Sequence, residues 1–231
     1  MQLSEMPFLD HIEELRRRLL VMMIALVIGS IIASIFTEQI IRLLAQPVGG
    51  LIHLQSIEVT ENVGVFMRVA LTAGVLLAMP VIVYELLMFI VPGLLPKERK
   101  WVYLAVPFAS ILFAGGVVFT YYVLLPPAIN FLVRFLGVST TPRLSNYIGF
   151  ITNLMFWIGL SFETPLLIFI LAKLKVVTGK QLLKGWRIAV VVTAILAAVI
   201  TPTVDPINMG LLMLPMMALY MLSVILAFLA R

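Results

Sequence analysis

Six apolar runs separated by short polar segments organise this chain. They cover Leu19 to Phe36, Val69 to Val91, Trp101 to Leu125, Tyr147 to Leu174, Ile188 to Ile200 and Met209 to Ala230. At about 1.5 Å of helical rise per residue the first run reaches about 27 Å, close to the roughly 30 Å hydrocarbon core of a bilayer. With their flanks the runs predict membrane spans near residues 19–36, 66–91, 101–125, 147–174, 187–201 and 208–230. The expected fold class is all-α: a polytopic membrane protein with six transmembrane helices in a concave bundle, one domain over 1–231. Pro80, Pro107, Pro165 and Pro215 interrupt the runs and should bend the helices, leaving neighbouring helices to satisfy the freed backbone groups.

Spans five and six are expected to be short. The fifth run has only about 13 apolar residues, too few for a full crossing. Two readings stand: a re-entrant hairpin made with span six, or a true span that obliges the bilayer to thin around it, which we favour. Either returns the chain to the side it left. Between spans, Ile40, Ile41, Leu43 and Leu44 precede Pro47 and Gly49-Gly50, and Ile129 to Leu136 follow Pro126-Pro127. Both stretches suit short amphipathic helices at the membrane surface.

Composition agrees with the pattern: 62% of residues are hydrophobic and 12% charged, and mean hydropathy is +1.15, far from the soluble average. The net charge of +5 is a topology signal. Arg16, Arg17, Arg18, Lys97, Arg99, Lys100 and the basic residues from Lys173 to Arg187 gather on one side, with Arg231. Only Arg42, Arg68, Arg134 and Arg143 fall on the other. Because cytoplasmic loops carry the excess of Lys and Arg, both termini are expected to be cytoplasmic, in a bacterial or archaeal plasma membrane. Lipid headgroups are the natural counter-charge, and no basic soluble surface is left for nucleic acid. The absence of cysteine removes disulfides, thiol nucleophiles and thiolate metal sites.

Enzymatic chemistry finds few materials. His11 and His53 are the only histidines, and both lie outside the apolar runs. There is no H-E-x-x-H, no phosphate-binding glycine loop, and no histidine to activate Ser161 or Ser223. No metal or cofactor is expected. Glu163 is the exception among the polar residues, a carboxylate inside the run Leu154 to Leu174. An acid at bilayer depth costs roughly 2.5–3.5 kcal/mol even on insertion scales, so it faces protein or water. It either serves a function or pairs locally with Ser161, Thr164 or a carbonyl freed by Pro165. Glu14, in a charged segment suited to a helix lying on the membrane surface, and Glu98, among Lys97, Arg99 and Lys100, are most simply read as solvated ion-pairing residues. Asp205, before Pro206, most simply ends span five and starts the turn to span six.

Five segments in order resemble a known family. His11-Ile-Glu-Glu-Leu-Arg-Arg-Arg-Leu19 is similar to the H-L-x-E-L-R-x-R-L segment of TatC, a component of the twin-arginine protein translocase. Pro80-Val-Ile-Val-Tyr84, Phe89-Ile-Val-Pro-Gly-Leu94 with Glu98-Arg99, Phe162-Glu-Thr-Pro165 and Thr201-Pro202 with Asp205 resemble further family segments. In the last, Ile207-Asn208-Met209 stands where the family usually carries Ser-Gln after the aspartate. The resemblance implies a receptor and scaffold that binds Arg-Arg signal peptides at the cytoplasmic face. Folded cargo would be exported with TatA and TatB partners, driven by the proton-motive force, from an oligomer of TatC–TatB units. Carried over, Glu14, Glu98, Arg16 and Phe89 become signal-peptide binding positions, with Arg16 orienting, Glu163 the intramembrane acid, and Pro47 and Asp205 outer-face positions. The alternative is a small proton-coupled secondary transporter in which Glu163 carries the proton.

Overall fold

The computed structural model describes residues 8–90, 99–134, 141–201 and 205–230. The elements are α1 (Phe8–Ala45), α2 (Glu61–Ile90), α3 (Arg99–Phe119), α4 (Leu125–Arg134), α5 (Leu144–Phe162), α6 (Thr164–Lys173), α7 (Gly179–Lys184), α8 (Trp186–Ile200) and α9 (Pro206–Leu229). Among the described residues five stretches are long and apolar enough to cross a membrane: α1, α2, α3 continued by α4, α5 continued by α6, and α9. Helix α8 is apolar but has 15 residues, about 22 Å, and so is shorter than a bilayer core. Of the two spans read as short, only this one is; α9 has 24 residues, about 36 Å.

Helix α1 is longer than its apolar run. It continues unbroken for 38 residues, so residues 11–18 extend the first span rather than form a separate surface helix. Ile40 to Leu44 likewise belong to α1. Hydropathy ends where polarity begins, whereas a helix ends where its hydrogen bonds do. At the far end Tyr121 Oη donates to the Leu43 carbonyl at 2.9 Å and Tyr147 Oη to the Leu44 carbonyl at 3.0 Å. These tyrosines satisfy acceptors that a helix terminus leaves orphaned. A 3₁₀ turn, Gln46–Val48, follows α1 with Pro47 in it, and Gly49 takes a left-handed φ of 95° that a Cβ would penalise.

Prolines act differently at each site. Pro165 accompanies a break at Glu163, which ends α5 and precedes α6. Pro80, Pro107 and Pro215 are accommodated within α2, α3 and α9. Before Pro126-Pro127, residues Thr120–Leu124 form a π-helical turn, which shifts the hydrogen-bond register ahead of two residues that cannot donate.

Helix α5 is the hub. Ile148, Ile151, Leu154 and Ile158 are fully or almost fully buried and join Val65 and Val69 of α2, Leu125 and Ile129 of α4, Ala197 of α8 and Leu212 of α9 in one cluster. Small residues let the helices approach: a Cβ on Gly29 of α1 would stand 2.7 Å from the Gly74 carbonyl of α2, and one on Gly116 of α3 only 2.8 Å from Gly159 Cα of α5. Such contacts drive association where lipid cancels the hydrophobic effect. By contrast Met23, Ile24, Val27, Ile28, Ile31 and Ile35 of α1 are exposed, an apolar surface suited to lipid.

Candidate functional site

Two ends of the bundle carry charge, and they are built differently. At the Glu61 end, Gln55 pairs with the segment before α5: its N–H donates to the Pro142 carbonyl at 3.1 Å and its carbonyl accepts from Leu144 N–H at 2.8 Å. Glu61, almost wholly buried, accepts from the N–H groups of Ile57 at 2.9 Å and Ser145 at 2.7 Å. Arg143 donates to it at 3.1 Å and reaches Glu58 at 2.8 Å. Those bonds raise the Arg143 pKa above its already high value, so the clamp keeps its cation. Both oxygens of Glu61 accept hydrogen bonds, and the arrangement is a structural lock.

The Glu14 end is open. Glu14 and Arg18 lie one turn apart on α1 and face Glu85 on α2. Arg18 donates from Nε at 3.0 Å and Nη2 at 2.5 Å to Glu14 Oε1, and from Nη1 at 2.9 Å to Glu85 Oε2. The three side chains are between 14% and 20% exposed, so the cluster is largely withdrawn from water. Its recess of about 620 Å³ is lined by Glu13, Glu14, Arg17, Arg18, Val21, Tyr84 and Glu85. Three carboxylates face two guanidiniums, leaving a deficit of one positive charge. Glu14 Oε2 is buried and accepts no hydrogen bond among the described residues. Such a site attracts a cation, and a planar fork suits a carboxylate better than an ammonium does.

The site residues expected from sequence divide accordingly. Glu14 lies in the recess, and Phe89 follows Glu85 by one turn of α2, half-buried. Arg16 is exposed and turned away from the Glu14–Arg18 stripe. Glu98 lies outside the described residues. Glu85 and Arg18, absent from the expected site, are central to it; the i, i+4 spacing of Glu14 and Arg18 is visible in sequence, whereas Glu85 lies 67 residues from Arg18 and nothing local links them.

Glu163 is buried at the α5–α6 break, 4% exposed, with its carboxylate against the Phe113 backbone of α3. Oε1 has no hydrogen-bond partner among the described residues. Ser161 does not serve it, since its hydroxyl donates to the Trp157 carbonyl. Asp205 is the N-cap of α9, accepting from Asn208 N at 2.7 Å and Nδ2 at 2.9 Å, with Pro206 in the first turn. Its observed role is therefore to start that helix. Among the described residues no group of three or more His, Cys, Asp or Glu is placed to hold a metal ion.

The helices define a multi-pass α-helical membrane protein with a polar, guanidinium-holding recess at one end. The family model described as "Sec-independent protein translocase protein (TatC)" matches residues 10–215. The chain belongs to the TatC family and is a component of a Sec-independent protein translocase. It is 40% identical to TatC of Deinococcus radiodurans over 98% of this chain and 87% of that one. Identity is 36% to TatC of Carboxydothermus hydrogenoformans, over 98% and 95% of the two chains. A crystal structure of the twin-arginine translocase receptor TatC superposes with a TM-score of 0.83 at 31% identity, covering 95% of this chain and 99% of that one. The same receptor in DDM gives 0.86 at 29% identity, over 94% and 99%.

Proposed function

We propose that this chain is the signal-peptide receptor and scaffold of a twin-arginine translocase. Glu14 and Glu98 read the two arginines at the cytoplasmic face, and Phe89 meets the apolar segment that follows them. The observation that carries the reading is the Glu14 recess: it already holds one guanidinium, partly desolvated, and has carboxylate charge to spare. Exposed ion pairs contribute only about 0–1 kcal/mol each, too little for selection, whereas sheltered ones discriminate more strongly. The Lys and Arg asymmetry supports a cytoplasmic Glu14 end and cytoplasmic termini. Relatives described as translocase components and receptors favour protein export over solute transport.

TatA- and TatB-type single-span partners, assembly into TatC–TatB oligomers and dependence on the proton-motive force belong to the same reading. Within it, Glu163 draws water into the bundle and, with short α8, thins the bilayer where TatA gathers. Pro47 and Asp205 then hold the outer-face turns. The direct test is photocrosslinking of a twin-Arg precursor from probes placed beside Glu14 and Glu98. Crosslinks that vanish in Glu14→Ala, Glu98→Ala support the reading. Crosslinks of equal yield in that variant contradict it.

A further inference from the structure

Arg18 satisfies Glu14 in an incomplete way. A guanidinium forms its strongest carboxylate pair by two parallel bonds to both oxygens. Here Nε and Nη2 converge on Oε1 alone, because Arg18 is tethered one turn along the same helix, and Oε2 stays buried without a partner. The third donor, Nη1, reaches across to Glu85 at 2.9 Å. An arginine that is not tethered to α1 is free to use both oxygens of Glu14, and that exchange would displace a poorer pair with a better one. Yet displacing Arg18 would strand a partly buried cation unless something else holds it, and stranding a charge is costly. Glu85 is already in place to do so.

We propose that Arg18 is a resident guanidinium that occupies Glu14 until a signal-peptide arginine replaces it, and that Glu85 is the positioning residue that retains Arg18 during the exchange. This rests on the receptor reading above and adds a self-occupied resting state to it. Glu85 touches Arg18, not the peptide. The exchange also favours arginine over lysine, since an ammonium offers no fork with which to outcompete the resident one. An empty Glu14 would attract any cation; an occupied one yields only to a better fit.

The test is a double-mutant cycle on the purified full-length chain in nanodiscs, read by the anisotropy of a fluorescent Arg-Arg signal peptide, with a Lys-Lys peptide as reference. Glu85→Gln is expected to weaken Arg-Arg binding about tenfold while Arg18 is present, and less than about twofold in the Arg18→Gln background, where there is no cation to retain. No loss with Arg18 present overturns the proposal. Equal loss in both backgrounds also overturns it, by making Glu85 a direct ligand of the peptide. Helicity and thermal unfolding are compared first, and Arg18→Met supplies the second background if Arg18→Gln does not fold. Equal affinity of the unsubstituted chain for Arg-Arg and Lys-Lys peptides is a separate outcome, which overturns the receptor reading itself and this proposal with it.

Discussion

Arg143 Nε donates to Glu61 Oε2 at 3.1 Å across 82 residues of sequence, joining the first residue of α2 to the N-cap of α5. Because Glu61 also accepts from two loop N–H groups and from Ser145 N–H, one buried carboxylate fixes how these segments meet. Glu61→Gln leaves Arg143 without its buried partner and sets an amide N–H₂ against backbone donors. A fall of about 5 °C in the melting temperature of detergent-solubilised protein is expected, whereas Glu58→Gln, at the exposed pair, should shift it by about 1 °C. Equal shifts would place the clamp's strength elsewhere.

The close crossing of α1 and α2 makes a second prediction. A Cβ on Gly74 would collide with Ser30, and backbone on both sides prevents an easy retreat. Gly74→Val should therefore abolish a monodisperse, heat-cooperative protein. Gly64, in the same helix, has open space where a Cβ would go, so Gly64→Ala should leave stability unchanged or slightly raised. Size-exclusion profiles and melting curves of the two variants separate packing from a general intolerance of α2.

Glu163 supplies the third. Glu163→Gln preserves shape but removes the capacity for charge, so the fold should persist while export of a twin-Arg reporter and recruitment of TatA both fall markedly. Lengthening α8 by one apolar turn inserted after Ile195 should act in the same direction, because a longer helix relieves the mismatch that thins the bilayer. Unchanged export and TatA recruitment in Glu163→Gln would remove the role given to this acid.

Much of this fold is legible as hydropathy, for reasons that also set the limit. The interiors of the spans were visible because lipid demands apolar side chains, and the shortness of α8 follows from the same count. Helix ends were not: α1 begins 11 residues before its apolar run at Leu19, since charged turns remain helical outside lipid. A short helix was expected after Pro126-Pro127 and α4 is there, but the π-helical turn before the prolines joins it to α3, so that it continues the span instead of starting a separate element. The site was half legible. Glu163 stands out by pattern and Glu14 by resemblance alone, and Asp205 fits its simpler reading as the start of a helix. Glu85 falls inside the apolar run Val69 to Val91, and its meaning depends on α1 and α2 lying side by side. Glu61 carries no local signal at all; its burial follows from where the loop after α1 meets the start of α5.

The most direct measurement of the central claim is the affinity of the purified chain for an Arg-Arg signal peptide against its Lys-Lys counterpart, with and without Glu14→Ala, Glu98→Ala. A sheltered two-carboxylate receptor should prefer Arg-Arg by about tenfold or more, and the double substitution should erase that preference. A preference that survives the loss of both carboxylates would contradict the account.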